Sequence, residues 1–456
     1  MKTFRIETWG CQMNSHDSER LEGLLRGLGM DAVEESSKAD LVLLNTCSVR
    51  EKPVQKILSR IGELERFEHR PAIGVCGCVA QQEGEKLLKR SKAVNFVLGP
   101  GQVGRVLEAV RAAIQGERTL FTGFDPEEEY NFQTIFRKSS TRGMVTVMEG
   151  CEEYCTFCVV PYTRGREISR PADDIVREIE GLTAVGVREI ELLGQTINAY
   201  VCPDSKTTFA QLLGRVSEIP GVKRLRYVTS QPRHFGPDLI QVLSEKPNVS
   251  RYLHLPFQSG SNSILKRMNR KYTREEFLTL IEEIRSVVPD LNLSTDVIVG
   301  FPGETEEDFL QTLEVIERIR FGQVFAFAFS PRPNTPARKY AEQVDEAVKM
   351  DRLHRLFSLT DQISTELNQA MVGSVVSVLI DGFSRRTEQD WQGRGDDNRV
   401  VNFPATGREG VGDIVNVKII RAGTHSLYGQ AEGTSSGPAL PVMKPGALNE
   451  ADASGS

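Results

Sequence analysis

No stretch of this chain reaches the ~18 consecutive apolar residues that a membrane-spanning helix needs. Its first residues, MKTFRIETWGCQMN, carry neither the charged-then-apolar run nor the small-residue cleavage site of a secretory signal. A cytoplasmic protein with no membrane attachment is expected. A large excess of positive or negative residues is missing too. The 56 Lys+Arg residues stand against 62 Asp+Glu, a net charge of -6, which excludes a generally basic nucleic-acid binder while leaving room for a local basic patch. Cysteine is sparse, with eight in 456 residues. A cytosolic chain keeps its thiols reduced, so these eight are not a disulfide scaffold, and any cluster of them points to metal ligation or catalysis.

What is present is the composition of a globular protein, 39% apolar and 26% charged, long enough for roughly three domains. The first ~118 residues repeat one pattern, a short β-rich run followed by a loop and an amphipathic helix. FRIET (Phe4 to Thr8) precedes a helix with Leu21, Leu24, Leu25 and Leu28 at helical spacing. LVLLN precedes a charged helix from about Arg50, AIGV precedes QQEGEKLLKR, and NFVL precedes VGRVLEAVRAAI. Four successive βα units predict an α/β domain, a doubly wound parallel sheet covering residues 1–120. The acidic stretch FDPEEEYNF (Phe124 to Phe132) reads as a linker. Six further strand candidates, MVTVME, REIELL, RLRYV, RYLHL, LNLSTDVIV and QVFAFAF, suit a central partial (β/α)6 barrel, which periodicity alone does not separate from a second open sheet. With the polar helical region after it, that domain spans 137–370. VVSVLIDGF, NRVVNF and DIVNVKII then predict a small all-β module over 371–433, before a Gly-, Ser-, Pro- and Ala-rich tail, 434–456, read as disordered.

Cys151, Cys155 and Cys158 lie in GCEEYCTFCVVPYTRG, just after the first strand of the middle domain. Three thiolates at C-x3-C-x2-C spacing on one loop can hold three irons of a 4Fe-4S cube and leave the fourth open, whereas zinc wants a fourth ligand that no nearby His or Cys supplies. Cys11, Cys47 and Cys78 are scattered, yet each follows a strand of the first domain. In an open parallel sheet those strand ends face one crevice, so the three can converge on a second cluster. Cys76 competes with Cys78, which is favoured because it lies further into the loop after Gly77. Cys202 reads as a loop thiol. GPGQVG matches a dinucleotide fingerprint in spacing, but in the last βα unit, where a tight strand-to-helix turn is the better reading.

The chain resembles the radical S-adenosylmethionine (SAM) methylthiotransferases over about residues 3 to 432. TWGCQMNSHDSER, LNTCSVREKPVQK, GCVAQ, GCEEYCTFCVVPYTRGREISRP, LLGQTINAY, HLPFQSGSNSILKRMNRKYTREEF, STDVIVGFPGETEEDF and FSPRPNTPA carry the likeness. CQMN, NTCSVREK and GR-x3-NRVVNF are most similar to the branch acting on dimethylallylated adenosine in tRNA. The resemblance implies an N-terminal cluster domain, a radical SAM partial barrel and a C-terminal TRAM domain. It implies two 4Fe-4S clusters, on Cys11, Cys47 and Cys78 and on Cys151, Cys155 and Cys158, with SAM as the further cofactor. LLGQTINAY departs at Thr196, where related sequences often have Asn, and TSQPRHF at Gln231, where His is common.

The implied activity is radical methylthiolation at carbon 2 of N6-dimethylallyladenosine beside the anticodon, a C–H position that no side-chain base can activate. SAM contacts are expected from Phe157, Gln195, Ser230 and Val299. Implied partners are tRNA, a reductant protein and a sulfur donor, acting with a monomeric enzyme. KRMNRKYTR (Lys266 to Arg274), and Arg385, Arg386, Arg394, Arg399 and Arg408 of the β-module, are the candidate RNA contacts. Two alternatives stand beside this reading. One is a relative acting on threonylcarbamoyladenosine or on a ribosomal-protein aspartate, and the other is a noncatalytic iron-sulfur RNA-binding protein.

Overall fold

A parallel sheet between two helix layers is buried on both faces, so its strands read as unbroken apolar runs. In the computed structural model, which describes residues 1–48, 53–124, 130 and 132–432, the strand LVLLNT is buried at every position. The first sheet contains β1 (Thr3–Thr8), β2 (Asp31–Ala32), β3 (Leu41–Thr46), β4 (Ala72–Gly77), β5 (Val94–Leu98) and β6 (Thr119–Phe121), in the order β2-β1-β3-β4-β5-β6. All neighbours pair parallel. Alternate residues of β3 serve two cores: Leu41 and Leu43 pack with Leu21, Leu25 and Phe96. Val42 and Leu44 pack with Ile57, Ile61 and Val75. The sheet is therefore doubly wound, and the chain reverses direction across it between β1 and β3, where ligand crevices form.

Two short strands exceed the four expected units. β2 and β6 are too brief and too exposed at their outer faces to show a period in sequence. QQEGEKLLKR is broken into two helices, Cys78–Glu83 and Glu85–Arg90, at Gly84. The helix expected from about Arg50 is described from Pro53 to Leu64. Its first residues, most of the acidic linker and the tail lie outside the described residues.

The second domain opens with β7 (Arg142–Thr146). A two-stranded ribbon, β8 (Met148–Glu149) with β9 (Ile168–Ser169), brackets the Cys151–Cys158 loop. β10 (Glu189–Leu193), β11 (Arg224–Tyr227), β12 (Tyr252–His254), β13 (Asn292–Val299) and β14 (Gln323–Ala328) follow. They form two parallel ladders, β11-β10-β7 and β12-β13-β14, joined by the bridge Leu225↔Val249. Helices cover the outside around one large core that includes Ile175, Leu212, Leu239, Phe277 and Phe309. This is the six-stranded open barrel anticipated from the strand count.

The 24-residue helix Glu346–Gln369 leads to a closed five-stranded barrel. Its strands are β15 (Val375–Ser384), β16 (Thr387–Gly395), β17 (Val400–Pro404), β18 (Ile414–Ala422) and β19 (Leu427–Ala431), around Val378, Ile380, Trp391, Phe403 and Val417. This small barrel docks on the N-terminal strand ends of the larger one. Arg224 donates to the carbonyls of Arg394 (2.9 Å) and Ser377 (3.1 Å), and Arg226 to that of Gly395 (2.7 Å). Glu189 is buried beside both guanidinium groups.

Candidate active site

Cys11, Cys47 and Cys78 each follow the C-terminal end of a sheet strand: β1, β3 and β4 respectively. Cys11 caps the helix Gln12–Gly27 and Cys78 begins the helix Cys78–Glu83. Two glycines let these loops close on one another. At Gly10 (φ +148) a Cβ would sit 2.8 Å from both Asn14 Oδ1 and Cys47 Cβ, and at Gly77 (φ +88) it would sit 2.5 Å from Asn45 Oδ1. Only glycine tolerates both the positive φ and the approach. A hydrogen bond from the Cys47 thiol, with the Arg164 guanidinium nearby, pulls the Cys11 thiol down to about 6. Burial raises Cys78, and Arg164 opposes it. Cys76 sits inside β4 in the apolar core with Phe4, Leu41 and Phe96, where burial raises its thiol and the Asp17 carboxylate raises it further.

The second trio lies on the loop between β8 and the short helix Val160–Thr163. Thr196 Oγ1 is 3.1 Å from Cys151 Sγ, and Arg270 donates to Cys155 Sγ at 3.4 Å. Burial pushes Cys158 up to about 12. Tyr154 adopts φ +47, a left-handed conformation uncommon for an aromatic residue. Asn269 Nδ2 holds the turn by donating to the Tyr154 carbonyl at 2.9 Å. The segment KRMNRKYTR therefore braces the cysteine loop, and of its cations only Lys266 and Lys271 are exposed. Arg270 also donates to the Pro256 carbonyl at 2.7 Å, Tyr272 is buried, and Arg267 and Arg274 are engaged by Glu342 and Glu314.

Both trios line one cavity of about 390 Å³ at the C-terminal strand ends, and Phe157, Gln195 and Ser230 line it with them. Val299 does not: strand alternation turns its side chain, 1% exposed, away from the barrel interior into the core beneath the helices, and its neighbour Ile298 reaches the cavity. Gln195 Oε1 accepts from the Gly150 N–H, and among the described residues the buried Gln195 Nε2 and Ser230 Oγ have no hydrogen-bond partner. Buried polar atoms are nearly always satisfied, so this pair marks a place for a polar ligand. Among the described residues no three His, Cys, Asp or Glu side chains gather around one point as a single ion would require.

The cavity straddles two domains, and a polar seam holds them. Arg164 donates to Asp17 at 2.5 Å, both side chains 3% exposed, and Arg164 and Arg20 both approach Glu149. His16 is fully buried between Thr146 Oγ1 (3.1 Å) and the Tyr130 hydroxyl (3.2 Å). The guanidinium groups of Arg20 and Arg170 lie over the Tyr130 ring. Burial, with Arg137, Arg20, Arg170 and Arg164 around it, holds the imidazole far below its usual range and so neutral. Sequence reasoning missed Arg164, Arg270 and His16 as working residues. Arg164 and His16 stand in the quoted motifs TRG and SHDSER, but the partners that join the domains, Asp17 for Arg164 and Tyr130 and Thr146 for His16, are more than a hundred residues away in sequence.

Three family models match the chain. They are Uncharacterized protein family UPF0004 at residues 3–99, the Radical SAM superfamily at 145–316 and the TRAM domain at 369–431. Among curated proteins, the tRNA-2-methylthio-N(6)-dimethylallyladenosine synthase of Geotalea uraniireducens (strain Rf4) is 46% identical, over 94% of this chain and 98% of its own length. The protein of that name from Desulfosudis oleivorans (strain DSM 6200 / JCM 39069 / Hxd3) is 42% identical over 99% of this chain and 100% of its own. Among solved structures, the radical S-adenosylmethionine methyltransferase TsrM from Kitasatospora setae matches with a TM-score of 0.54 at 16% identity, covering 84% of this chain and 82% of that one. At that identity the likeness concerns the fold. Sequence motifs, domain order and near-full-length identity agree: the chain belongs to the radical SAM methylthiotransferases, in the tRNA-2-methylthio-N(6)-dimethylallyladenosine synthase family.

Proposed function

We propose that this protein is a tRNA methylthiotransferase that replaces the hydrogen on carbon 2 of N6-dimethylallyladenosine, beside the anticodon, with a methylthio group. The observation that carries the reading is the convergence of two cysteine trios, from two domains, on a single cavity. When bound, two 4Fe-4S clusters and SAM supply the electron, the radical and the sulfur that this C–H substitution needs.

The chain's own part is to bind, orient and enclose. Cys151, Cys155 and Cys158 hold one cluster, with Arg270 and Thr196 directing hydrogen-bonding groups at their sulfurs. Cys11, Cys47 and Cys78 hold the other, with the Arg164 cation compensating thiolate charge. Gln195 Nε2 and Ser230 Oγ, both without a partner among the described residues, are the polar contacts left for SAM, and Phe157 adds an apolar wall. Holding both reacting halves in one enclosed cavity removes the entropy cost of bringing them together during the reaction. The reading includes an external reductant protein and sulfur donor, a monomeric enzyme and a cytoplasmic setting.

The test is an anaerobic turnover assay of the reconstituted protein with SAM, a reductant and tRNA that is unmodified, dimethylallylated or threonylcarbamoylated, followed by nucleoside mass spectrometry. The methylthio product should form on dimethylallylated tRNA. Product only from the threonylcarbamoylated form would move the chain to another substrate. Absence of both product and 5′-deoxyadenosine would remove the enzymatic reading.

A further inference from the structure

Strand β14 carries two large apolar side chains on a face that folding does not bury. Val324, Ala326 and Ala328 pack against the helix-covered core. Alternation puts Phe325 and Phe327 on the opposite face, 38% and 50% exposed. Parallel register sets Phe325 beside Asp296 and Phe327 beside Ile298 of β13. The His254 ring meets Phe325 edge-on at 5.8 Å, so this face is the inner wall of the open barrel. Asp296, Ile298 and Phe327 border the cavity that the six cysteines line. Two neighbouring phenylalanines left in water forgo burial energy in the free protein, which a ligand with matching apolar surface would recover.

We propose that Phe325 and Phe327 seat the dimethylallyl group of the target adenosine; this rests on the function proposed above. The wall is continuous with the cavity where carbon 2 has to lie. On an adenine ring the N6 substituent leaves in a different direction from carbon 2, so the branch is carried along a side wall while carbon 2 faces the cysteines. Five carbons match two ring faces and Ile298. A charged threonylcarbamoyl group would lose hydration there and find no replacement on the rings. The two phenylalanines are thus specificity-determining residues.

The test measures binding of the cluster-reconstituted full chain to an anticodon stem-loop RNA with either dimethylallyladenosine or plain adenosine, by fluorescence anisotropy. The unaltered protein should prefer the prenylated RNA at least tenfold. Phe325→Ala with Phe327→Ala should bring the two RNAs within about twofold by weakening only the prenylated one, and the paired Leu substitutions should keep most of the preference. Iron content and melting temperature should stay unchanged, because both side chains are exposed. A preference undiminished in the Ala variant, or an equal loss for both RNAs, overturns the seat. Product from prenylated tRNA without any binding preference overturns it too. If the unaltered protein yields no methylthio product on any tRNA, the functional reading fails instead.

Discussion

Cys76 and Cys78 stand two residues apart, and strand geometry separates their roles. Cys76 still belongs to β4 and faces the apolar core, whereas Cys78 begins the next helix and lines the cavity. Anaerobic reconstitution should load about eight irons per chain. Cys78→Ala should lose about half of them and Cys76→Ala should keep them all, as measured by iron analysis. The reverse result would exchange the two assignments. Arg164 and Asp17 form a buried pair, and removing one partner strands a charge at a cost of about 3–5 kcal/mol. Arg164→Gln should therefore lower the melting temperature by many degrees, and adding Asp17→Asn should recover part of that loss. An exposed, screened pair would show neither effect.

The helix Gln12–Gly27 displays how much of the site was legible in sequence. Its inner leucines, Leu21 and Leu25, announce themselves by spacing, and Cys11 by its place after a strand. Its outer face is also buried, by His16, Asp17 and Arg20 against a domain that begins over a hundred residues later, and no local period records that. The same limit explains why Arg270 and Tyr272 read as an RNA patch, and why Val299 reads as a cavity residue in place of Ile298. Alternation says that one of two neighbours faces inward but not which one. His16 gives this element a pH signature. Its folded-state pKa lies well below the ordinary 6.5. Above 6.5 neither state takes the proton; below it the unfolded chain does and the native seam, with four arginines around the ring, refuses it. Stability should fall as pH drops below about 6.5, by up to about 1.4 kcal/mol per pH unit. His16→Gln should flatten that slope in denaturant titrations at pH 5 to 7, and an unchanged slope would place the linkage elsewhere. The loop Cys151–Cys158 is likewise a separable element. Changing its three cysteines to Ala should remove one cluster and spare the other, whereas loss of all iron would show that the two sites are interdependent.

At the scale of the whole molecule, the small C-terminal barrel offers fewer free cations than its composition suggested. Arg399 is spent on Asn368 and Asp397, and Arg394 on Asn398. Arg385, Arg386 and Arg408 remain exposed. Near the first two, Phe383 stacks on Trp391 with ring centres 4.1 Å apart and is itself half exposed, a surface on which a base can stack. Replacing Arg385, Arg386 and Arg408 by Gln should weaken tRNA binding and flatten its salt dependence, by about 0.7–0.9 in log-log slope for each phosphate no longer neutralised. An unchanged slope would send the search for the RNA surface to another face.

The docking of that barrel also bears on how the gene can be shortened. Arg224 and Arg226 are buried charges whose hydrogen bonds end on the backbone of the C-terminal module, with Glu189 enclosed beside them. A premature stop after Gln369 would open the floor of the larger barrel and leave these groups without the carbonyls that complete their shell. Such an allele should behave as a folding defect, with protein lost to aggregation or proteolysis, and not as an enzyme that has merely stopped recognising RNA. The two outcomes separate on one gel, by the amount of soluble truncated chain. On this structure the last barrel is a cornerstone of the larger one, since its backbone completes the shell of buried charges at that barrel's floor.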